Sequence, residues 1–286
     1  VFATALLPVA LREPASRLAD MLSFLQNFDT TRVVLLHIST GPATQATEHK
    51  LDTLRTRVLS SLAERAADPG DVPTPMVEVR VRSGSPAYQI AATAEEEGAD
   101  FIYFPWKRKS WIQRTLVGST TKDVIRLSNR PVFVFKPRRT QAEDEPFRVL
   151  YPTNFQDTDR FVVPYLRYPG LAADELLLLN VRERAPDPMA ESRERAKCEE
   201  NLTRLAEEVS ANFAEVRPLQ LAGNPRHRIT RIASRNGISF LILGQSDRQD
   251  AFSAMMGSVA EAVAHASPCS VFIVSRAYQP ARGDSA

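Results

Sequence analysis

Two short stretches of this chain, Gly244-Gln245-Ser246-Asp247 and Gly257-Ser258, combine small residues with a helix start. A helix start approached by small residues leaves backbone N–H groups free, and those groups attract an anion such as phosphate. Ser258 followed by Glu261 also fits an S-x-x-E capping box. Gly257-Ser258 therefore reads as an anion cradle or as a plain turn and cap. Tyr151-Pro152-Thr153-Asn154 and Asn180-Val181 leave two apolar runs that predict strands. In open parallel sheets ligands bind beyond the carboxyl ends of strands, at the switch in strand order, so the three places converge on one rim. No G-x-S-x-G elbow and no G-x4-G-K-[ST] loop is present. His37, His49, His227 and His265 lack metal-ligand spacing. His37 ends a strand near the presumed cleft, but with no partner acid or nucleophile it reads as packing. Cys198 and Cys269 have no activating neighbour in sequence and read as structural. The expectation is a protein with no catalytic residue and no metal.

Two charged segments stand apart from that rim. Pro105-Trp106-Lys107-Arg108-Lys109-Ser110-Trp111 holds both tryptophans of the chain among three cations. It reads as tryptophans covering apolar surface with solvated cations beside them, or as a patch for an anionic partner. Glu191–Glu200 mixes Glu, Arg and Lys at helical spacing and predicts a solvated helix face with i, i+4 pairs.

The elements that position these residues occur twice. Gly84-Ser85-Pro86 returns as Gly223-Asn224-Pro225, Asp100-Phe101-Ile102 as Ser239-Phe240-Leu241, Gly118-Ser119 as Gly257-Ser258, and Val132-Phe133-Val134 as Val271-Phe272-Ile273. All four share one offset (84 to 223, for example), which marks a duplicated domain. Leu36-His37-Ile38 matches Leu179-Asn180-Val181, and Leu7-Pro8 matches Tyr151-Pro152, at slightly longer offsets. Each half alternates strand and helix. Thr4–Val9, Arg32–Ile38, Phe101–Phe104 and Val132–Phe135 are buried-type runs, and Val77, Val79 and Val81 alternate with charges as an edge strand does. Leu18, Met21, Leu22 and Leu25 follow a helical stripe behind Pro14. The second half repeats this through Val149–Thr153, Leu176–Val181, Val216–Leu221, Phe240–Leu243 and Val271–Val274. The pattern predicts an α/β fold, two tandem doubly wound domains with parallel sheets and helices on both faces. The boundaries expected are 1–138 and 147–286, joined by a polar linker at 139–146.

Bulk properties agree. The chain has 286 residues, 43% apolar and 24% charged, with a net charge of +2. That is globular composition with too little positive charge for a dedicated nucleic-acid binder. No apolar run approaches the roughly 18 residues of a membrane span, no signal peptide is evident, and two distant cysteines suit a reducing compartment. The chain opens on Val1 without an initiating Met, from which an upstream extension is expected.

These residues resemble the universal stress protein family. RVLYPTNFQD at Arg148–Asp157 is similar to its first strand and turn, Gly223-Asn224-Pro225 to its G-x-P, and Phe240–Ser258 to the segment carrying its nucleotide motif, G-x2-G-x9-G-[ST]. SPCSVFIV at Ser267–Val274 is similar to its closing strand. The resemblance implies five-stranded sheets in the order 3-2-1-4-5 and a cytoplasmic stress-response or regulatory role, with ATP or AMP bound in some members. It assigns a nucleotide to Pro152, Thr153, Asn154, Val181, Leu243, Gly244, Asp247, Gly257, Ser258 and Val259. Asp247 stands where the middle glycine belongs and its carboxylate repels a polyphosphate; Asn154 replaces the acid after strand one. The first half is more degenerate: Ala10 fills the acid position, Pro105 and Arg108 replace two glycines, and Gly118-Ser119 survive. The expectation is weak or lost binding in the second half and none in the first. The resemblance also implies that the halves pair through Val132–Phe135 and Val271–Val274, with a further homodimer open. The alternative role is a cytosolic regulatory domain of a membrane transporter.

Overall fold

In the computed structural model the described residues are 2–39, 41–65, 74–105, 119–137, 145–156, 158–171, 173–245 and 258–274, with Ser119 and Ser258 described as backbone. Two units are present, one formed by residues through Pro137 and one by Arg138–Gln279.

The apolar runs of the first unit form β1 (Thr4–Pro8), β2 (Arg32–Ser39), β3 (Met76–Ser83), β4 (Phe101–Pro105) and β5 (Val132–Phe135). All pair in parallel, in the order β3-β2-β1-β4-β5. Parallel strands need crossovers, and α1 (Ala15–Leu25), α2 (Gln45–Ala63), α3 (Pro86–Glu96) and α4 (Ser119–Leu127) supply them. Leu18, Ala19, Met21, Leu22 and Leu25 are the buried stripe of α1, and Leu51, Leu54, Val58 and Leu62 that of α2. β3 is the half-exposed edge that its alternation predicts. Its Glu78 and Arg80 join Arg32 and Glu97 in one ion network, which also ties the Glu97 carbonyl at the end of α3 to Arg32. The two guanidiniums hold the Glu78 carboxyl down at about 2. The core is aromatic: Phe133 packs against Phe24, Phe28, Phe101 and Tyr103, with ring centroids 4.6–6.1 Å apart. The buried Tyr103 hydroxyl donates to the Met21 carbonyl at 3.1 Å.

The second unit repeats the plan with β6 (Arg148–Thr153), α5 (Asp159–Leu166), β7 (Ala173–Arg182), α6 (Pro188–Val209), β8 (Phe213–Ala222), α7 (Pro225–Arg235), β9 (Phe240–Gly244), α8 (Ser258–Ala266) and β10 (Ser270–Val274). Its order is β8-β7-β6-β9-β10, again parallel. Leu176–Leu179 are wholly buried, so β7 is covered on both faces. Pro218 sits in β8, where an edge strand tolerates its missing N–H. The repeated G-x-P now has a physical reason. Gly84 and Gly223 adopt φ of +125° and +129°, a region L side chains avoid. Pro86 and Pro225 then open α3 and α7 at the position where a missing N–H costs nothing.

One expectation is corrected. The charged face of α6 pairs across to the sheet and not along the helix: Glu191 takes both terminal nitrogens of Arg182 on β7 at 2.6 and 2.7 Å, and Glu194 lies 3.7 Å from the same guanidinium. Arg182 reaches the start of α6 because β7 runs one residue beyond Val181. Cys198 and Cys269 are buried thiols, and the Ser267 hydroxyl lies 3.1 Å from Cys269 Sγ. Among the described residues no group of His, Cys, Asp or Glu could hold a metal ion, and no helix is long and apolar enough to cross a membrane.

Candidate functional site

The rim between β6 and β9 is the switch point of the second sheet. The pairs Val149↔Phe240 and Leu150↔Leu241, carried three residues on, bring Thr153 level with Gly244. Pro152 and Thr153 are therefore strand residues, paired with Leu179 and Asn180. Val181 pairs with Leu221, Leu243 is buried beside Ile273, and Gly244 pairs with Val274. Ser258 and Val259 open α8. Asp247 and Gly257, and in the first unit Arg108, Gly118 and the Trp106–Trp111 loop, lie outside the described residues.

The turn after β6 uses its own polar groups. The Thr153 hydroxyl donates to the Asp159 carboxylate, at 2.8 and 2.9 Å from its two oxygens, and accepts the Phe155 N–H at 2.9 Å. Asn154 is exposed, and its amide closes on Gln156: Oδ1 accepts the Gln156 N–H at 3.3 Å and Nδ2 donates to Gln156 Oε1 at 3.0 Å. Phe155 takes a φ of +57° to make this turn, a conformation uncommon for a bulky residue.

Beneath the turn lies a polar network that the sequence reading did not single out. The Tyr151 hydroxyl donates to Asp159 at 2.6 Å. Burial pushes the Asp159 carboxyl above its ordinary 3.8 and the charge of Glu208 adds to this, against the opposing hydrogen bonds from Tyr151 and Thr153. Burial, and then the neighbouring Asp159, push the Tyr151 phenol up. The first unit has Leu7 and Val9 at the strand positions of Tyr151 and Thr153, and Ala15 opens its α1 where Asp159 opens α5. That threefold apolar-to-polar difference between the repeats was the available signal.

The network gives a pH prediction. A carboxyl raised in the fold binds its proton more tightly there than in the unfolded chain. The stability it contributes is complete below 3.8 and is lost as pH rises through the elevated folded value. Urea unfolding of the Asp159→Asn variant, which cannot ionise, is expected to show it gaining stability relative to wild type as pH rises from 4 to 7. A wild-type-to-variant difference that stays constant with pH contradicts this.

Gly244, which the family resemblance sets at the first glycine of the nucleotide motif, has surroundings that assign it a packing role. A Cβ there would lie 2.8 Å from Thr158 Cβ and 3.2 Å from Val162 Cγ2, so the first turn of α5 sits directly on it. Pro105, at the matching position of the first unit, is buried at the end of β4 and pairs with Phe135. Ala10 is exposed in the turn after β1, where its carbonyl accepts the Glu13 N–H. Ser119 opens α4.

His37 has a structural task shared across the repeat. Its Nδ1–H donates to the Val9 carbonyl at 3.0 Å, and Asn180 Nδ2 donates to the Thr153 carbonyl at 2.9 Å. Each bond latches the end of the second strand to the end of the first. A ring nitrogen and an amide nitrogen do the same work, which is why the two residues differ in type.

Two doubly wound units, each with a switch point in its strand order, define a tandem α/β protein. The universal stress protein family model matches residues 2–136 and again 148–275, and the chain belongs to that family. A segment of 57 residues is 39% identical to universal stress protein MJ0577 of Methanocaldococcus jannaschii; it spans 20% of this chain and 35% of that relative. The fold matches a universal stress protein of Archaeoglobus fulgidus with a TM-score of 0.64 and 21% identity over 96% of both chains. It also matches the cytoplasmic domain of a prokaryotic cation chloride cotransporter with a TM-score of 0.54 and 16% identity, over 96% of this chain and 95% of that one.

Proposed function

We propose that this chain is a regulatory binding protein of the universal stress protein type, non-catalytic and cytoplasmic, whose first unit takes no nucleotide and whose second holds ATP or AMP weakly or not at all. The observation that carries this reading is the self-satisfied turn after β6. Thr153 spends its one proton on Asp159 and Asn154 is closed on Gln156, and these are the two polar residues of that turn that the family resemblance assigns to a nucleotide. Asp247 in the following loop adds a carboxylate repulsive to a polyphosphate. In the first unit Ala10 and Pro105 offer no side-chain polar group at all. Such a protein signals through its surfaces. Equilibrium dialysis of the full chain against labelled ATP and AMP is expected to show affinities weaker than about 0.1 mM, a binding free energy of roughly 5 kcal/mol or less. Stoichiometric micromolar binding contradicts the reading.

The two-unit match to a cotransporter's cytoplasmic domain supports one alternative, a regulatory part of a membrane transporter. Fractionation of the native protein separates the two: recovery with membranes in a form that only detergent releases favours the transporter.

A further inference from the structure

A second polar feature lies two strands from that rim, where the ends of β7 and β8 meet α6. Asn180 pairs with Gln220 and Arg182 with Ala222. Alternation along strands therefore puts Asn180, Arg182 and Gln220 on one face of the sheet. Arg182 and Gln220 line a groove of about 630 Å³ closed on its other side by α6. Glu191 grips Arg182 end-on through its two terminal nitrogens, and this leaves Arg182 Nε buried with no acceptor. Gln220 Nε2 is likewise buried with no acceptor. One step deeper, Asn180 Oδ1 is buried and unpartnered too.

Two buried N–H donors without acceptors are costly, because each has lost water and gained nothing. Both residues line one groove, and rotation of the two side chains toward it would let one ligand accept from both. The rim supplies charge of the matching sign. Arg184 and Arg195 line the groove, are exposed, and make no ion pair among the described residues. Of the two lining carboxylates, Glu191 is already engaged by Arg182, which leaves Glu199 against the two arginines. The first unit offers none of this: Ser39 and Val81 stand where the repeat places Arg182 and Gln220.

We propose that this groove binds a compact oxyanion, a carboxylate or phosphate group, which accepts from Arg182 Nε–H and Gln220 Nε2–H under the field of Arg184 and Arg195. The site is separate from the β6–β9 rim and does not depend on a nucleotide binding there.

The test is a side-chain NMR titration of the full 15N-labelled chain. Sodium phosphate and sodium acetate are added separately against sodium chloride at matched ionic strength, and the Gln220 amide and arginine Nε–H signals are followed. The Gln220 signals are assigned by their loss in Gln220→Leu. Saturable shifts beyond the chloride control are expected. In Gln220→Leu the arginine Nε–H response weakens about tenfold or more, the worth of one charge-assisted hydrogen bond. A response to phosphate alone assigns a phosphate group, and a response to acetate alone or to both assigns a carboxylate-sized oxyanion. Shifts no larger than those with chloride overturn the proposal, as does an unchanged response in Gln220→Leu. Should that variant fail to fold, Gln220→Glu supplies the same comparison, because its carboxylate repels the anion and the response is lost.

Discussion

Replacing Phe133 by alanine is expected to lower the stability of the first unit by about 3–5 kcal/mol, the range for a fully buried phenylalanine truncated in a packed core. Phe133 is 0% exposed and central to the aromatic cluster, touching Phe24 and Phe28 from the α1 side, and Phe101 and Tyr103 from β4. Its loss opens a cavity among rings that cannot close it without leaving their rotamers. The backbone also resists collapse, since Phe133 is paired with Tyr103 across β4 and β5. Phe272, the matching residue of the second unit, meets Tyr165 and Phe240 and marks the equivalent position there. Hydrogen exchange of amides in β1, β4 and β5 reads the effect directly. A loss below about 1 kcal/mol would show that the cluster is not a close-packed core.

Gly244→Ala is expected to destabilise the second unit by about 1–3 kcal/mol, the usual cost of forcing atoms into filled space. The cause is steric and not conformational. Gly244 is absent from the positive-φ glycines, so alanine has no quarrel with its backbone. The new methyl would instead stand 2.8 Å from Thr158 Cβ, an atom fixed to the backbone of the residue that caps α5 and not the end of a flexible side chain. β9 cannot retreat, because Gly244 is held in register with Val274. This separates two accounts of the same residue. A glycine kept open for a phosphate would accept alanine with unchanged stability and lose ligand affinity. A glycine kept open for a helix loses stability whatever ligand is present. Urea unfolding midpoints decide, and an unchanged midpoint contradicts the packing account.

Most of the fold could be read from residue order. The unbroken Leu176–Leu179 run announces a strand buried on both faces, and the Val77-Val79-Val81 alternation announces an edge. These signals are local, and local periodicity is what a sequence displays. The neighbourhood of Pro152, Thr153 and Gly244 was legible too, because they end the adjacent strands β6 and β9. Its internal chemistry was not. Whether Gly244 faces a ligand or a helix depends on Thr158 and Val162, which are far away in the chain. The partner of Glu191 was expected one helical turn away and proved to be Arg182 on the sheet. Tyr151, Thr153 and Asp159 look unremarkable singly, and become a network because a strand and the next helix place three polar groups where the first half has Leu7, Val9 and Ala15.

The central claim, that the turn following β6 is complete without a nucleotide, rests on two backbone donors. The Phe155 N–H is held by Thr153 Oγ1 and the Gln156 N–H by Asn154 Oδ1. Amide hydrogen exchange at Phe155 and Gln156, with and without millimolar ATP, measures whether they are engaged. Protection in the free protein that ATP leaves unchanged is the expected result. Fast exchange in the free protein that slows when ATP is added would contradict it.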